Sequence, residues 1–159
     1  MESWQRRSLA ILLILSACAS VTPGTSPSPP SRASTVSDAT AGHAATRAMS
    51  MVGKPYRYAG NTPAGFDCSG LVQYSYAQVA VKVPRDTQLL RRRGKVVSGD
   101  DMRRGDLVFF DQEGEQTSHV GIYLGYKRFV HAPSKGGRVR TDGLDAEYWK
   151  KHFVEARRL

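Results

Sequence analysis

The chain has 159 residues, with 23 Lys and Arg against 14 Asp and Glu, for a formal net charge of +9. That length holds one ordinary domain and excludes a tandem arrangement. Two cysteines exclude a disulfide scaffold, and the basic balance suits either plain solvation or an acidic neighbour.

Residues 1–17 read as a secretion signal. Arg6 and Arg7 give a positive start, residues 9–15 form an apolar run far too short to cross a bilayer, and small residues follow. The ending Leu15-Ser16-Ala17-Cys18 resembles the bacterial lipobox, in which the cysteine is lipidated and becomes the mature N-terminus. The alternative is simple cleavage with Cys18 left as an ordinary thiol. Lipidation of Cys18 leaves Cys68 without a partner in its own chain, as a free thiol in an oxidising compartment. Ala19, in place of aspartate, resembles the signal for transfer to the outer membrane of Gram-negative bacteria. The expected location is the periplasmic face of that membrane, anchored through Cys18, where nucleic acid is not an expected partner. Residues 18–39 are rich in Ser, Thr, Pro, Gly and Ala and read as a disordered tether.

A globular domain is expected over residues 40–159. Alanine-rich residues 40–52 read as a first helix, ended by Gly53 and Pro55. Gly65-Phe66-Asp67-Cys68-Ser69-Gly70-Leu71 is a polar corner that runs into a helical pattern carried to Val81 by Leu71, Val72, Ser75, Tyr76 and Val79. Pro84-Arg85-Asp86-Thr87 looks like the capped start of a short helix through Arg93. Four β-rich runs follow, at 105–110, 119–124, 128–132 and 138–140, with a last one at 153–156. Helices first and antiparallel strands afterwards predict an α+β domain with the Cys68 helix laid against the sheet.

Cys68 sits at the predicted helix start, where unpaired N–H groups and the helix dipole favour a thiolate. A buried, inert cysteine is the competing reading. A hairpin turn at Gly125-Tyr126-Lys127 would make residue 119 face about residue 132, so His119 and His131 stand within one residue of being cross-strand neighbours. A cysteine with two imidazoles has the logic of a nucleophile, a base and an orienting group. Three zinc ligands are the other use of such a set, although no close ligand spacing supports it. His43 and His152 read as ordinary structural residues without a chemical role.

Phe66-Asp67-Cys68-Ser69-Gly70-Leu71, Pro84-Arg85, Gly105-Asp106-Leu107-Val108-Phe109-Phe110, Ser118-His119-Val120-Gly121-Ile122-Tyr123 and Phe129-Val130-His131-Ala132 resemble the successive motifs of the NlpC-type cell-wall cysteine peptidases. The ending Tyr148-Trp149-Lys150-Lys151 with Glu155-Ala156-Arg157-Arg158 is similar to that of the lipoprotein murein endopeptidase branch. The resemblance implies a minimal papain-like fold, with Cys68 as nucleophile, His119 as base and then acid, and His131 as orienting residue. It also implies Tyr56 beside the nucleophile as an oxyanion donor, and Asp67, Ser69 and Ser118 lining the substrate cleft. The implied substrate is peptidoglycan. The D-alanyl to diaminopimelyl cross-link is favoured, and the γ-D-glutamyl to diaminopimelate bond is the alternative. A murein-binding lipoprotein without activity is the rival outside enzymology. No metal or cofactor is expected, and the chain is expected to be a monomer.

Overall fold

The computed structural model describes residues 36–112, 115–134 and 137–159. The expected signal at 1–17, the lipidated Cys18 and the tether as far as residue 35 lie outside the described residues.

Helix α1, Asp38–Met49, begins two residues before the expected start because Ser37 caps it, its hydroxyl accepting the Thr40 N–H at 3.2 Å. Ala41, Ala44, Ala45 and Ala48 recur at helical spacing and are all buried, so this face has no bulk to hold it off the core. A two-stranded ribbon follows, β1 (Asn61–Thr62) and β2 (Gly65–Phe66), and leads straight into helix α2, Cys68–Ala77. Leu71, Val72 and Tyr76 bury the inner face of α2.

The pattern that reached Val81 in the sequence ends four residues early. Ala80 takes a left-handed conformation (φ 59°), and the Val81 N–H turns back to the Tyr76 carbonyl at 3.0 Å. That closure satisfies a helix-end carbonyl, while Val79 and Val81 still pack on the core from the turn. Helix α3, Thr87–Arg93, is capped by Asp86 as expected and buries Leu90.

The remaining strands are β3 (Lys95–Val97), β4 (Leu107–Gln112), β5 (Glu115–Gly125), β6 (Arg128–His131), β7 (Arg140–Gly143) and β8 (Phe153–Arg158). They form one antiparallel sheet in the order β3-β8-β4-β5-β6-β7. Leu107, Phe109, Val120, Ile122 and Val130 point towards α1 and α2. Val108, Phe110, Tyr123 and Phe129 point the other way, where Trp149 of helix α4 (Glu147–His152) covers them. The alternation along each strand therefore builds two cores, one on each side of the sheet. The architecture is α+β, with the Cys68 helix against the sheet as the sequence predicts.

Three elements were not anticipated: the β1–β2 ribbon, β3 and α4. The run expected at 138–140 is displaced. Arg138 forms only an isolated bridge with Pro55, and β7 starts at Arg140.

The β5–β6 turn also corrects an expectation. Its loop is Tyr126-Lys127, both left-handed (φ 50° and 57°), the conformation of a two-residue type I′ hairpin. Gly125 pairs with Arg128, and an irregularity between Gly125 and Tyr123 then shifts the register to Tyr123↔Phe129 and Ile122↔Val130. One step further puts His131 opposite Gly121, so His119 is its diagonal neighbour and not its direct one. Both side chains still leave the same face of the sheet, because they differ from that direct pair by two residues.

Candidate active site

The start of α2 is held by a close backbone approach. The Asp67 N–H donates to the Gly60 carbonyl at 3.0 Å, and a Cβ at Gly70 would lie 1.9 Å from that same oxygen. Only glycine at position 70 lets the 57–60 turn rest on the helix. Asp67 caps the helix through Oδ1, which accepts the Gly70 N–H at 2.7 Å.

Cys68 is half-buried at this corner. Its sulfur lies 3.9 Å from the Thr87 hydroxyl, and the main-chain amides of Val120 and Ser69 are nearby. These donors favour the thiolate, but burial and the neighbouring Asp67 carboxylate outweigh them and push the thiol up. The surroundings therefore oppose the thiolate that the helix start favours.

Beside the thiol, Arg85 binds two neighbours at once. Its Nη2 donates to Asp67 Oδ2 at 2.5 Å, and its Nη1 to Ser69 Oγ at 2.6 Å. With Tyr58, Ala59, Asp86 and Thr87 these three residues line an open pocket next to Cys68. Asp67 and Ser69 thus stand where the sequence put them. Tyr56 forms an isolated bridge with Phe66, two residues before Cys68, and burial followed by the charges of Asp67 and Cys68 pushes its phenol up. Ser118 is not brought into that pocket. Its hydroxyl accepts the Gln112 N–H at 2.9 Å and donates to the Gln112 carbonyl at 3.3 Å, which ties β4 to β5.

Val120, whose amide favours the Cys68 thiolate, directly follows His119 in sequence. His119 and His131 are buried, with His119 Nε2 and His131 Nδ1 2.8 Å apart. Trp149 packs on both rings, stacked on His119 at 5.6 Å between centroids and edge-on to His131 at 4.8 Å. Burial, reinforced by its partner ring, lowers His119 to about 3. Burial likewise lowers His131 to about 4, against an opposing pull from Asp142. Both imidazoles are neutral near pH 7.

Asp142 was not singled out from the sequence. Its Oδ2 lies 2.9 Å from His131 Nε2 and accepts from Trp149 Nε1 at 2.9 Å and Arg140 Nε at 3.0 Å. Burial disfavours its charge, but the hydrogen bonds from His131 and Arg140 prevail and hold the carboxyl below the usual range. The available signal was alternation: Arg140 and Asp142 share a strand face, with Arg140 paired to His131 and Asp142 to Phe129. Arg85 and Thr87 were read as a helix start, and Arg85 also as part of a family motif, but neither was given a place in the site.

Comparison with known proteins gives consistent matches. The family model described as "NlpC/P60 family" matches residues 53–158. Murein DD-endopeptidase MepH of Escherichia coli is 39% identical over 121 residues, covering 73% of this chain and 45% of the relative. The E. coli Murein DD-endopeptidase MepS/Murein LD-carboxypeptidase is 44% identical over 108 residues, covering 67% of this chain and 56% of the relative. The chain thus spans about half the length of these curated relatives. A crystal structure from Staphylococcus aureus, described as similar to lipoprotein, NLP/P60 family, superposes with a TM-score of 0.69 at 33% identity. It covers 80% of this chain and 44% of its own.

Proposed function

The chain belongs to the NlpC/P60 family, and from that membership we propose that it is a cysteine endopeptidase hydrolysing peptidoglycan stem peptides through a thioester on Cys68. One observation carries the reading. Helix α2, which Cys68 opens, packs on β5, the strand that carries His119, and His119 is hydrogen-bonded to a second buried imidazole. A module that only binds murein has no use for a cysteine at the start of a helix packed on a sheet that carries two neutral, desolvated imidazoles.

The resting charges shape the mechanism. Thiol and imidazole are both neutral, so His119 takes the Cys68 proton as the sulfur attacks the peptide carbonyl, and not beforehand. The tetrahedral oxyanion meets the Cys68 main-chain N–H and the Tyr56 phenol. The His119 imidazolium then gives its proton to the leaving amine as the C–N bond breaks, leaving a thioester. Water attacks the thioester carbon while His119 accepts its proton, the C–S bond breaks, and the proton returns to the thiolate. His131 holds His119 in place throughout, and the pocket of Asp67, Ser69 and Arg85 receives the substrate backbone.

The D-alanyl to diaminopimelyl cross-link is the favoured bond, because both E. coli relatives above are named murein DD-endopeptidases. Mass spectrometry of digested cross-linked muropeptides tests this choice. Monomeric tetrapeptides support the cross-link, and diaminopimelate-containing dipeptides would replace it with the glutamyl bond. Cys68→Ala should release nothing from purified sacculi while keeping its circular dichroism. Normal release by that variant would end the cysteine mechanism, and loss of wild-type activity to a chelator would revive the zinc reading.

The lipobox-like Leu15-Ser16-Ala17-Cys18 supports a cell-envelope protein anchored by lipid on Cys18 at the periplasmic face of the outer membrane. Labelled palmitate should mark the wild type and not Cys18→Ala. Equal labelling of the two would exclude Cys18 as the acceptor.

A further inference from the structure

We propose that Asp142 is a positioning residue that fixes, through His131, which nitrogen of His119 acts as the base. The catalytic meaning rests on the peptidase reading above, but the geometry does not. Asp142 Oδ2 is the meeting point of three groups: Trp149 Nε1, Arg140 Nε and His131 Nε2, at 2.9, 3.0 and 2.9 Å. The indole and the guanidinium can only donate. The oxygen between them can only accept, so His131 Nε2 carries a hydrogen.

A neutral imidazole has one N–H, and His131, lowered to about 4 by burial, is neutral. Its Nδ1 is then an acceptor. The atom 2.8 Å away, His119 Nε2, must supply the hydrogen of that bond. His119 is neutral as well, so its single hydrogen is spent on Nε2 and the lone pair is on Nδ1. An acid two rings away thus sets the tautomer of the proton acceptor. Trp149 serves the same end twice, stacking on the His119 ring while its N–H helps anchor the carboxylate.

Long-range proton–nitrogen correlation spectra of the full ¹⁵N-labelled chain at pH 7 read these tautomers without substrate. Wild type should show Nε2–H on both His119 and His131. Asp142→Ala should bring up the Nδ1–H form of His131, and kcat on sacculi should fall by about one to two orders of magnitude with KM little changed. Asp142→Asn keeps an oxygen that the same three donors orient, so it should recover the wild-type tautomers and part of kcat. Nδ1–H on either ring of the wild type would overturn the proposal even if Asp142→Ala failed to fold. Wild-type tautomers in a folded Asp142→Ala would overturn it too. Absence of muropeptide release by wild type with both tautomers as stated would instead remove the peptidase reading and leave the role of Asp142 in the tautomer chain intact.

Discussion

Mild acid should destabilise this domain, and the histidine pair is the reason. In the unfolded chain an imidazole titrates near 6.5, whereas in the fold burial holds His119 to about 3 and His131 to about 4. A histidine with a depressed folded value costs no stability above 6.5. As pH falls through 6.5 the unfolded state gains protons that the folded state refuses, so stability falls with pH until the folded value is reached. The window is therefore 6.5 down to about 4 for His131 and about 3 for His119. At pH 5 each ring favours the unfolded chain by about 2 kcal/mol, and near pH 5.5 the pair gives a slope of roughly 2.5 kcal/mol per pH unit. Asp142 works in the same direction but later: its carboxyl is held low, so its contribution is lost only at more acid pH. Set against a typical total of about 5–15 kcal/mol, a loss of about 4 kcal/mol by pH 5 is a large share. Urea titrations followed by far-UV circular dichroism at pH 7, 6 and 5 measure it directly. A change of less than about 1 kcal/mol between pH 7 and 5 would refute the reasoning. So would a full-sized loss in a folded variant with Gln at both 119 and 131.

The other predictions concern single side chains. Position 131 must donate to Asp142 and accept from His119, and an amide can do both, so His131→Asn or His131→Gln should keep measurable activity. His131→Ala should lose about one to three orders of magnitude in kcat, and His119→Ala more; a folded His131→Asn as dead as Cys68→Ala would exclude an orienting role. Alkylation of Cys68 by iodoacetamide should rise with pH through a midpoint above the ordinary thiol value of 9.0, since burial and Asp67 oppose the thiolate; a rate already flat at pH 6–8 would contradict that. Asp67→Ala should cost about 1–2 kcal/mol in urea unfolding through loss of the helix cap, and Asp67→Asn clearly less, because Asn caps as well as Asp. Equal losses would show that the Arg85 contact, not the cap, carries the stability.

Much of this was legible from residue order. Cys68 could be placed at a helix start because Asp67 and the apolar spacing after it are local signals, and the strands of the later half could be placed by their alternation. What failed depended on the third dimension. The helix stop at Ala77 is set by a left-handed alanine at position 80, a residue type that gives no warning of it. Helix α4 is six residues long and takes its stability from Trp149 filling the far side of the sheet, not from propensity. The thiol's resting charge turns on burial, which a sequence position cannot report. Asp142 lies eleven residues from His131 and meets it only because β6 and β7 pair, so nothing in spacing alone could join them. Ser118 matched a motif, yet its hydroxyl is spent on the main chain of Gln112.

The position of β8 gives the fold an order in time. It is the last strand in sequence, yet it lies inside the sheet between β3 and β4, and α4 immediately precedes it. Val36 at the other end of the described chain closes onto Leu159, its N–H donating to that carbonyl at 2.9 Å. Such pairings join residues far apart in sequence, so they form late and slowly. A chain emerging N-terminus first presents Cys68 early but cannot complete the stacking of Trp149 on His119 until almost all of it has emerged. The nucleophile exists long before its base is assembled, and the unfinished chain is a thiol without a catalyst around it.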